Sequence, residues 1–312
     1  LVNVQEQANK SGLYNIPISA NESDNNIDLA KKYYQEIKNS PEGDDRVINY
    51  AICIALANEG YSDGKTLDAQ HHLTTGYGYD LTVQKRDYGM KKVAYDLAKA
   101  GVNVDKIMLY AEGKSRTMHL TKEESLKLMK VIMPDYAQFA KSWGGPEIWG
   151  LDTNKSEIIV NDGRDWNSND FLKNGGIYKS VYVMNDIQKA ATTYAAYNTG
   201  SRAMGSDFKK HWLEGDVLGA ISSIKVVWKD RQGVNHVNQR LMNNLALAFN
   251  GDSTIQTVIN GNSDQYINVD QISALTSVSP DSIKAMKFET AYRKSISKMA
   301  TLDTLKENGK TL

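Results

Sequence analysis

Cysteine is almost absent from this chain of 312 residues, and neither sign of charge is in excess. The single cysteine, Cys53, excludes a disulfide within the chain and a cysteine-rich zinc site. Lysine plus arginine number 37, as do aspartate plus glutamate, so the formal net charge is zero. No long-range field therefore draws the chain to nucleic acid or to an anionic membrane, and an anionic substrate must be held by local contacts.

Metal-ligand spacing and long apolar runs are also missing. The five histidines form no H-E-x-x-H pattern, which removes support for a metalloprotease or a zinc amidase and predicts no metal site. No apolar stretch reaches about 18 residues, and the N-terminal residues are polar. The sequence thus predicts no membrane span and no signal peptide in this chain.

Helical spacing of apolar residues appears early in the chain. It predicts a short helix over 26–38 and a second helix over 46–59. Asp44 or Asp45 is expected to cap the second helix, and Gly60 to close it in a left-handed conformation. Glu59 then lies on the last turn of that helix.

A different composition follows. Residues 61–82 are rich in glycine, threonine and tyrosine and contain turn pairs, which predicts short antiparallel strands. Helical periodicity resumes over 83–100, where Gly101 closes it. A capping box from Thr121 to Glu124 opens another helix, which Pro134 either kinks or replaces with a new one.

The rest of the chain alternates polar and helical stretches. Residues 144–179 lose periodicity and contain a predicted hairpin over 157–163, so we interpret them as an insertion between helices. Further helices are predicted over residues 185–197, 206–214, 217–228, 238–249, 269–275 and 280–299.

Three residues carry the chemical signal. Asp68 follows Glu59 by nine positions, and Thr74 follows Asp68 by six, just before a Gly-Tyr-Gly turn. This stretch resembles the active-site segment of phage-type lysozymes, glycoside hydrolase family 24. The resemblance continues in chain order through three segments, which are Leu120–Ser125, Gln188–Gly200 and Trp228–Arg240. In one departure, Tyr79 stands where the family commonly has histidine after the turn, which leaves open how that turn is braced.

The resemblance implies an α+β, lysozyme-like two-lobed fold, with a small antiparallel β-lobe, a helical lobe, and helical N- and C-terminal extensions. It implies an N-terminal extension at 1–45, a catalytic domain at 46–251 that includes the insertion 144–179, and a C-terminal extension at 252–312. The implied activity is that of an N-acetylmuramidase. Such an enzyme hydrolyses the β-1,4 bond between N-acetylmuramic acid and N-acetylglucosamine in bacterial peptidoglycan and needs no cofactor.

A location follows from the same resemblance. The protein would act in a phage virion, where its terminal extensions contact other virion or tail proteins, or after release into the host periplasm or cell wall. Peptidoglycan is the expected partner, and neither nucleic acid nor a membrane is.

Elementary chemistry suits the three residues to this reaction. Hydrolysis of a glycosidic bond needs a proton donor on one side and a water-activating carboxylate on the other. The partial negative charge at a helix C-terminus favours a neutral, proton-donating Glu59. Asp68 lies among polar residues and suits the ionised base, while the Thr74 hydroxyl can bind the same water. These roles predict hydrolysis with inversion at the anomeric carbon, in which the two carboxyl groups lie about 6.5 to 9.5 Å apart. A separation of about 5 Å would instead indicate a retaining enzyme.

Each candidate residue also has a structural interpretation. Glu59 could be a solvated helix-end carboxylate, and Asp68 a turn former. Tyr77 either packs on the core or walls a cleft beside a sugar, and Asn198 either caps a helix or donates to an N-acetyl or peptide group. Arg240 either forms a structural ion pair or binds substrate carboxylates through its planar fork.

Two other functions are kept as alternatives. A lytic transglycosylase uses a single glutamate and closes an anhydro ring, and the presence of both Asp68 and Thr74 argues against it. A structural virion or tail component, or a wall-binding module, would retain a lysozyme fold for its shape alone.

Overall fold

The computed structural model describes most of the first half of the chain and short parts of the second. The described residues are 1–11, 16–68, 71–149, 184, 186–200, 227–229, 232 and 235–237. They form helices and a small antiparallel sheet, which is an α+β arrangement. The predicted hairpin over 157–163 and the helices predicted over 206–214, 238–249, 269–275 and 280–299 lie outside the described residues.

Three helices precede the sheet. They are α1 (Val2–Ser11), α2 (Asn26–Ile37) and α3 (Asp44–Asn58). Helix α2 begins as predicted because Asn25 Oδ1 accepts a hydrogen bond from Asp28 N at 2.8 Å, which satisfies a free N–H of the first turn.

Helix α3 is the central element. Every residue from Val47 to Leu56 is buried, and a helix that is buried all round needs neighbours on every side. Those neighbours are α2, α6 (Lys122–Trp149) and α7 (Asp186–Thr199). Tyr33 of α2 also donates a hydrogen bond from Oη to Asn49 Oδ1 at 2.8 Å. Helix α2, which lies in the predicted N-terminal extension, therefore shares a core with α3.

Three antiparallel strands follow α3, in the order β1-β2-β3. They are β1 (Ser62–Leu67), β2 (Leu73–Gly76) and β3 (Tyr79–Asp80). This confirms the strands predicted over 61–82. Strand β1 bulges, because its residues 64–66 lie opposite the single residue Thr74 of β2. A bulge bends its strand, so the ends of β1 lie closer together than in a regular strand of the same length.

The bulge depends on Gly64. Its φ is +69°, and a Cβ at this position would lie 1.9 Å from the carbonyl oxygen of Met118. Met118 N also donates a hydrogen bond to the Gly64 carbonyl at 3.0 Å. The absence of a side chain thus lets the segment before α6 pack directly on the sheet.

The sheet leads into α4 (Leu81–Lys99) and α5 (Val104–Ala111). Helix α4 is interrupted at Gly89, where φ is +83° and ψ is 160°. Gly101, which was predicted to close this helix, follows the end of α4 with a positive φ of +82°. A shared core joins the sheet, α4, α5 and α6, and it includes Leu73, Tyr79, Leu81, Val93, Leu97, Val102, Ile107, Leu120 and Leu128.

The capping box of α6 is confirmed. Glu124 N donates to Thr121 Oγ1 at 3.0 Å, and Thr121 N donates to Glu124 Oε2 at 2.8 Å. The helix continues through Pro134 without a new start and ends at Trp149. Residues 144–149, which were predicted to begin a loop-like insertion, are therefore helical.

Both ends of α3 differ from the prediction. Its N-cap is Gly43, and Asp44 and Asp45 lie in the first turn, where their charge complements the helix dipole. Its C-cap is Glu59 in an extended conformation, with φ −84° and ψ 139°, and Gly60 has no positive φ. The chain thus leaves the helix at Glu59 itself.

A small hairpin replaces part of a predicted helix. Strands β4 (Val227–Lys229) and β5 (Asn235–Val237) pair antiparallel, whereas residues 217–228 were expected to be helical throughout. Valine and tryptophan at 227 and 228 suit a strand as well as a helix, so apolar periodicity alone did not separate the two. None of the described helices is long and apolar enough to cross a membrane.

Candidate functional site

Glu59 lies where α3 ends and the chain turns toward the sheet. Its backbone N–H donates to Ala55 O at 2.7 Å, the last helical bond, and its carbonyl accepts from Asn26 Nδ2 at 2.6 Å. Both bonds fix the backbone at the point where it changes from helical to extended. The carboxyl group is partly buried and projects from the end of the most buried helix.

Two side chains of α7 hold the Glu59 carboxyl group. Tyr194 Oη donates to Glu59 Oε1 at 2.8 Å, and Asn198 Nδ2 donates to the same oxygen at 2.9 Å. The two donors are four residues apart, so they lie on one face of the helix. Because both bonds use Oε1, the contacts distinguish it from Oε2.

Glu59 Oε2 faces the Gly-rich turn between β2 and β3. A Cβ at Gly78, where φ is +93°, would lie 3.5 Å from Oε2 and 3.1 Å from Tyr197 Oη. Tyr197 Oη donates to the Tyr77 carbonyl in the same turn. Removal from water raises the pKa of Tyr197 well above the usual tyrosine value, so the hydroxyl keeps its proton and stays a donor.

Tyr77 is in the interior. It is 1 % exposed, and its ring lies 5.6 Å from that of Tyr61 at an angle of 60°. Its hydroxyl has no hydrogen-bond partner among the described residues. Of its two predicted roles, Tyr77 therefore has the one in which it packs on the core. Its ring presents almost no surface to a ligand.

Asp68 closes the turn between β1 and β2. Its Oδ1 accepts from His72 N at 2.9 Å, and its backbone N–H donates to the His72 carbonyl at 2.9 Å. His71 in this turn has a positive φ of 60°. The side chain of Asp68 is exposed. Asp68 thus makes the contacts of a turn former, which is its predicted structural role. It lies at the opposite end of β1 from Glu59.

Thr74 lies in the middle of the sheet. It is the residue of β2 opposite the bulge, it pairs with Asp80 of β3, and it is partly buried. Its carbonyl accepts from Ser62 Oγ at 2.6 Å. The bulge and the pairing place Thr74 between the strand that follows Glu59 and the strand that precedes α4.

His72 also belongs to this region. His72 Nδ1 lies 2.8 Å from Asp80 Oδ2, while Asp80 Oδ1 accepts from Val83 N at 2.9 Å and caps α4. His72 therefore links the turn that Asp68 closes to the start of α4. The sequence did not indicate this role for His72, because only the fold shows that Asp80 lies beside it.

The turn after β2 is braced by tyrosine. Tyr79 Oη donates to Asp96 Oδ2 of α4 at 3.1 Å, and Lys92 Nζ donates to Asp96 Oδ1 at 2.6 Å. Asp96 is 2 % exposed. Burial raises the pKa of Asp96 above the usual value, although the bonds from Lys92 and Tyr79 act in the opposite direction. The hydrogen bond between the Tyr79 hydroxyl and the buried Asp96 carboxylate is therefore the contact that braces this turn.

The structure brings Glu59 and Asn198 into direct contact, with Tyr194 as a third member that the sequence did not reveal. Arg240 lies outside the described residues. Among the residues that are described, no group of three or more histidine, cysteine, aspartate or glutamate side chains could hold a metal ion. Comparison of the chain with protein-family models, with curated proteins and with solved structures finds no match.

Proposed function

We propose that this chain is a peptidoglycan hydrolase, an N-acetylmuramidase with a lysozyme-like two-lobed fold. The observation that supports this proposal is the asymmetric environment of Glu59. Two neutral hydrogen-bond donors bind one carboxyl oxygen, and a glycine of the turn after β2, which has no side chain, lies beside the other. The other carboxyl oxygen, Oε2, is then the one proposed to carry and deliver a proton. Proton delivery to a leaving sugar oxygen is the first requirement of glycoside hydrolysis.

Glu59 is proposed as the general acid. In a neutral carboxyl group the carbonyl oxygen accepts hydrogen bonds and the hydroxyl oxygen donates. Tyr194 and Asn198 both donate to Oε1, so Oε1 takes the carbonyl role and the proton resides on Oε2, beside Gly78.

Asp68 and Thr74 are proposed to position and activate water. Asp68 is exposed, so water reaches its carboxylate. The Thr74 hydroxyl can donate to or accept from the same water. A single displacement with inversion of the anomeric carbon is the corresponding mechanism.

The proposed substrate is bacterial peptidoglycan, and the proposed setting is a phage particle or the wall of an infected host cell. Arg240 is retained as a candidate contact for substrate carboxylates, and Asn198 as a candidate contact for the substrate that also holds Glu59. Tyr77 is proposed to support the turn from the interior.

A wall-clearing assay tests this function. Purified protein is added to suspended bacterial walls, and turbidity is followed for the wild type, Glu59→Gln, Asp68→Asn and the control Glu36→Gln, which alters an exposed carboxylate of α2. We expect clearing by the wild type and the control, and losses of at least about a hundredfold for the two site variants. Mass spectrometry should show reducing N-acetylmuramic acid ends. Anhydro ends, or full activity of Glu59→Gln, would contradict the proposal.

A further inference from the structure

A groove of about 230 Å³ lies between α4 and α6 and does not include Glu59. Its walls carry three aromatic residues, Tyr88, Tyr136 and Phe139. Tyr88 immediately precedes Gly89, where α4 leaves the helical conformation. The groove is therefore located beside the break in α4.

The aromatic wall is preorganised. Tyr136 and Phe139 contact each other with ring centroids 5.9 Å apart at 70°, and Gln84 Nε2 donates to Tyr136 Oη at 2.8 Å. Tyr88 is 49 % exposed, although an aromatic ring is more stable when it is covered. Fixed rings beside an exposed ring offer an apolar surface to a ligand.

The polar side of the groove combines donors with acceptors. Lys92 Nζ donates to both oxygens of Asp96, at 2.6 and 2.8 Å, and to Asp135 Oδ2 at 3.0 Å. Asp96 is 2 % exposed, whereas the Asp135 side chain is 53 % exposed. The exposed amide of Gln138 also lines the groove. These three bonds use all three protons of the Lys92 ammonium, so the polar groups that remain for a ligand are the exposed Asp135 carboxylate and the Gln138 amide.

These features select for one kind of ligand. A neutral ring with hydroxyl groups can both donate to Asp135 and accept from Gln138. Its apolar face can lie on the aromatic rings. The volume is below the roughly 300 to 1,000 Å³ of sites for drug-sized ligands, which fits a single ring. We infer that this groove binds one neutral saccharide unit, at a site separate from Glu59.

The inference does not rest on hydrolysis, because a monosaccharide without a glycosidic bond can be the probe. Saturation-transfer difference NMR with N-acetylglucosamine is measured on the full chain. The variants are Tyr88→Ala in the groove, Gln138→Ala as a second groove substitution, and Tyr95→Ala as the matched control. Tyr95 is 43 % exposed on the same helix and does not line the groove. Circular dichroism verifies the fold of each variant.

We expect binding by the wild type and by Tyr95→Ala, and binding weakened by about tenfold in Tyr88→Ala and in Gln138→Ala. Binding by Glu59→Gln should equal that of the wild type. The inference is overturned if the wild type gives no signal, if Tyr95→Ala loses as much as Tyr88→Ala, or if Glu59→Gln abolishes binding. Displacement of the sugar by an equal concentration of n-butylammonium would also overturn it, since the site would then select a cation.

Discussion

Tyr194 Oη lies 2.8 Å from Glu59 Oε1 and donates a hydrogen bond to it, although the two residues are 135 positions apart in the sequence. Asn198 donates to the same oxygen from the next turn of α7. The contact joins the end of the central helix to a helix beyond the sheet, α4, α5 and α6. Packing of α7 on α3 therefore determines the orientation of the candidate acid.

We expect Tyr194→Phe to lower kcat of the proposed hydrolysis by about five- to tenfold, the equivalent of one hydrogen bond. The KM should change little, because Tyr194 acts through Glu59. Tyr33→Phe is the matched control, since Tyr33 is also buried and donates to Asn49 of α3 and not to Glu59. Wall clearing is the measurement. An equal loss in Tyr33→Phe would show that stability, and not positioning, is responsible.

Gly64→Ala is expected to destabilise the fold by more than about 2 kcal/mol. A Cβ there would meet the Met118 carbonyl oxygen at 1.9 Å and would also have to adopt a φ of +69°. Gly101→Ala separates the two effects, because φ is +82° but nothing lies within 4 Å of the added atom. It should cost about 1 kcal/mol. Denaturant unfolding measures both, and equal losses would contradict the proposed close contact.

The pair of Lys92 and Asp96 predicts a dependence of stability on pH. Burial raises the pKa of Asp96, so the folded protein binds this proton more tightly than the unfolded chain does. Its contribution to stability is thus largest at low pH and is lost as the pH rises through the folded pKa. Burial lowers the pKa of Lys92, but its bonds to Asp96 and Asp135 outweigh that effect and the net shift is upward. The stability from Lys92 is present below the ordinary lysine pKa and is lost above it.

Lys92→Met should therefore destabilise the protein by about 3 to 5 kcal/mol at neutral pH, because a buried carboxylate loses its cation. The loss should shrink as the pH falls and Asp96 takes up a proton. Lys92→Met combined with Asp96→Asn should recover most of the stability. Thermal melts at several pH values measure these effects, and a pH-independent loss would count against an ionised Asp96. Lys32→Met, which removes a surface ion pair with Asp24, should cost much less than Lys92→Met.

Cys53 should be inert toward alkylating reagents in the folded protein. It is 0 % exposed, its Sγ donates to the Ala30 carbonyl at 3.2 Å, and burial raises the pKa of the thiol well above its usual value. The Cys53 side chain thus lacks both the accessible surface and the thiolate form that alkylation requires. Mass spectrometry after treatment with iodoacetamide should show no label in buffer and one label in denaturant. Rapid labelling of the native protein would indicate that α2 separates from α3.

Local features of the chain were predictable where a few neighbouring residues decide the outcome. The capping box of Thr121 and Glu124 formed as expected, and Gly101 follows the end of its helix as expected, because each depends on residues within one helical turn. The end of α3 was not predictable in detail. Glu59, and not Gly60, leaves the helix, and Asn26 of another helix binds the carbonyl that becomes free there.

The sequence by itself determined the spacing of Glu59, Asp68 and Thr74, the strands around them and the helices on either side, since these depend on apolar periodicity and turn residues. Only the tertiary structure decided that Tyr194 and Asn198 hold one oxygen of Glu59, and that Asp96 braces Tyr79. Such contacts join residues that no local rule relates. They exist because burial of α3 brings distant polar groups together, where each buried group must find a partner.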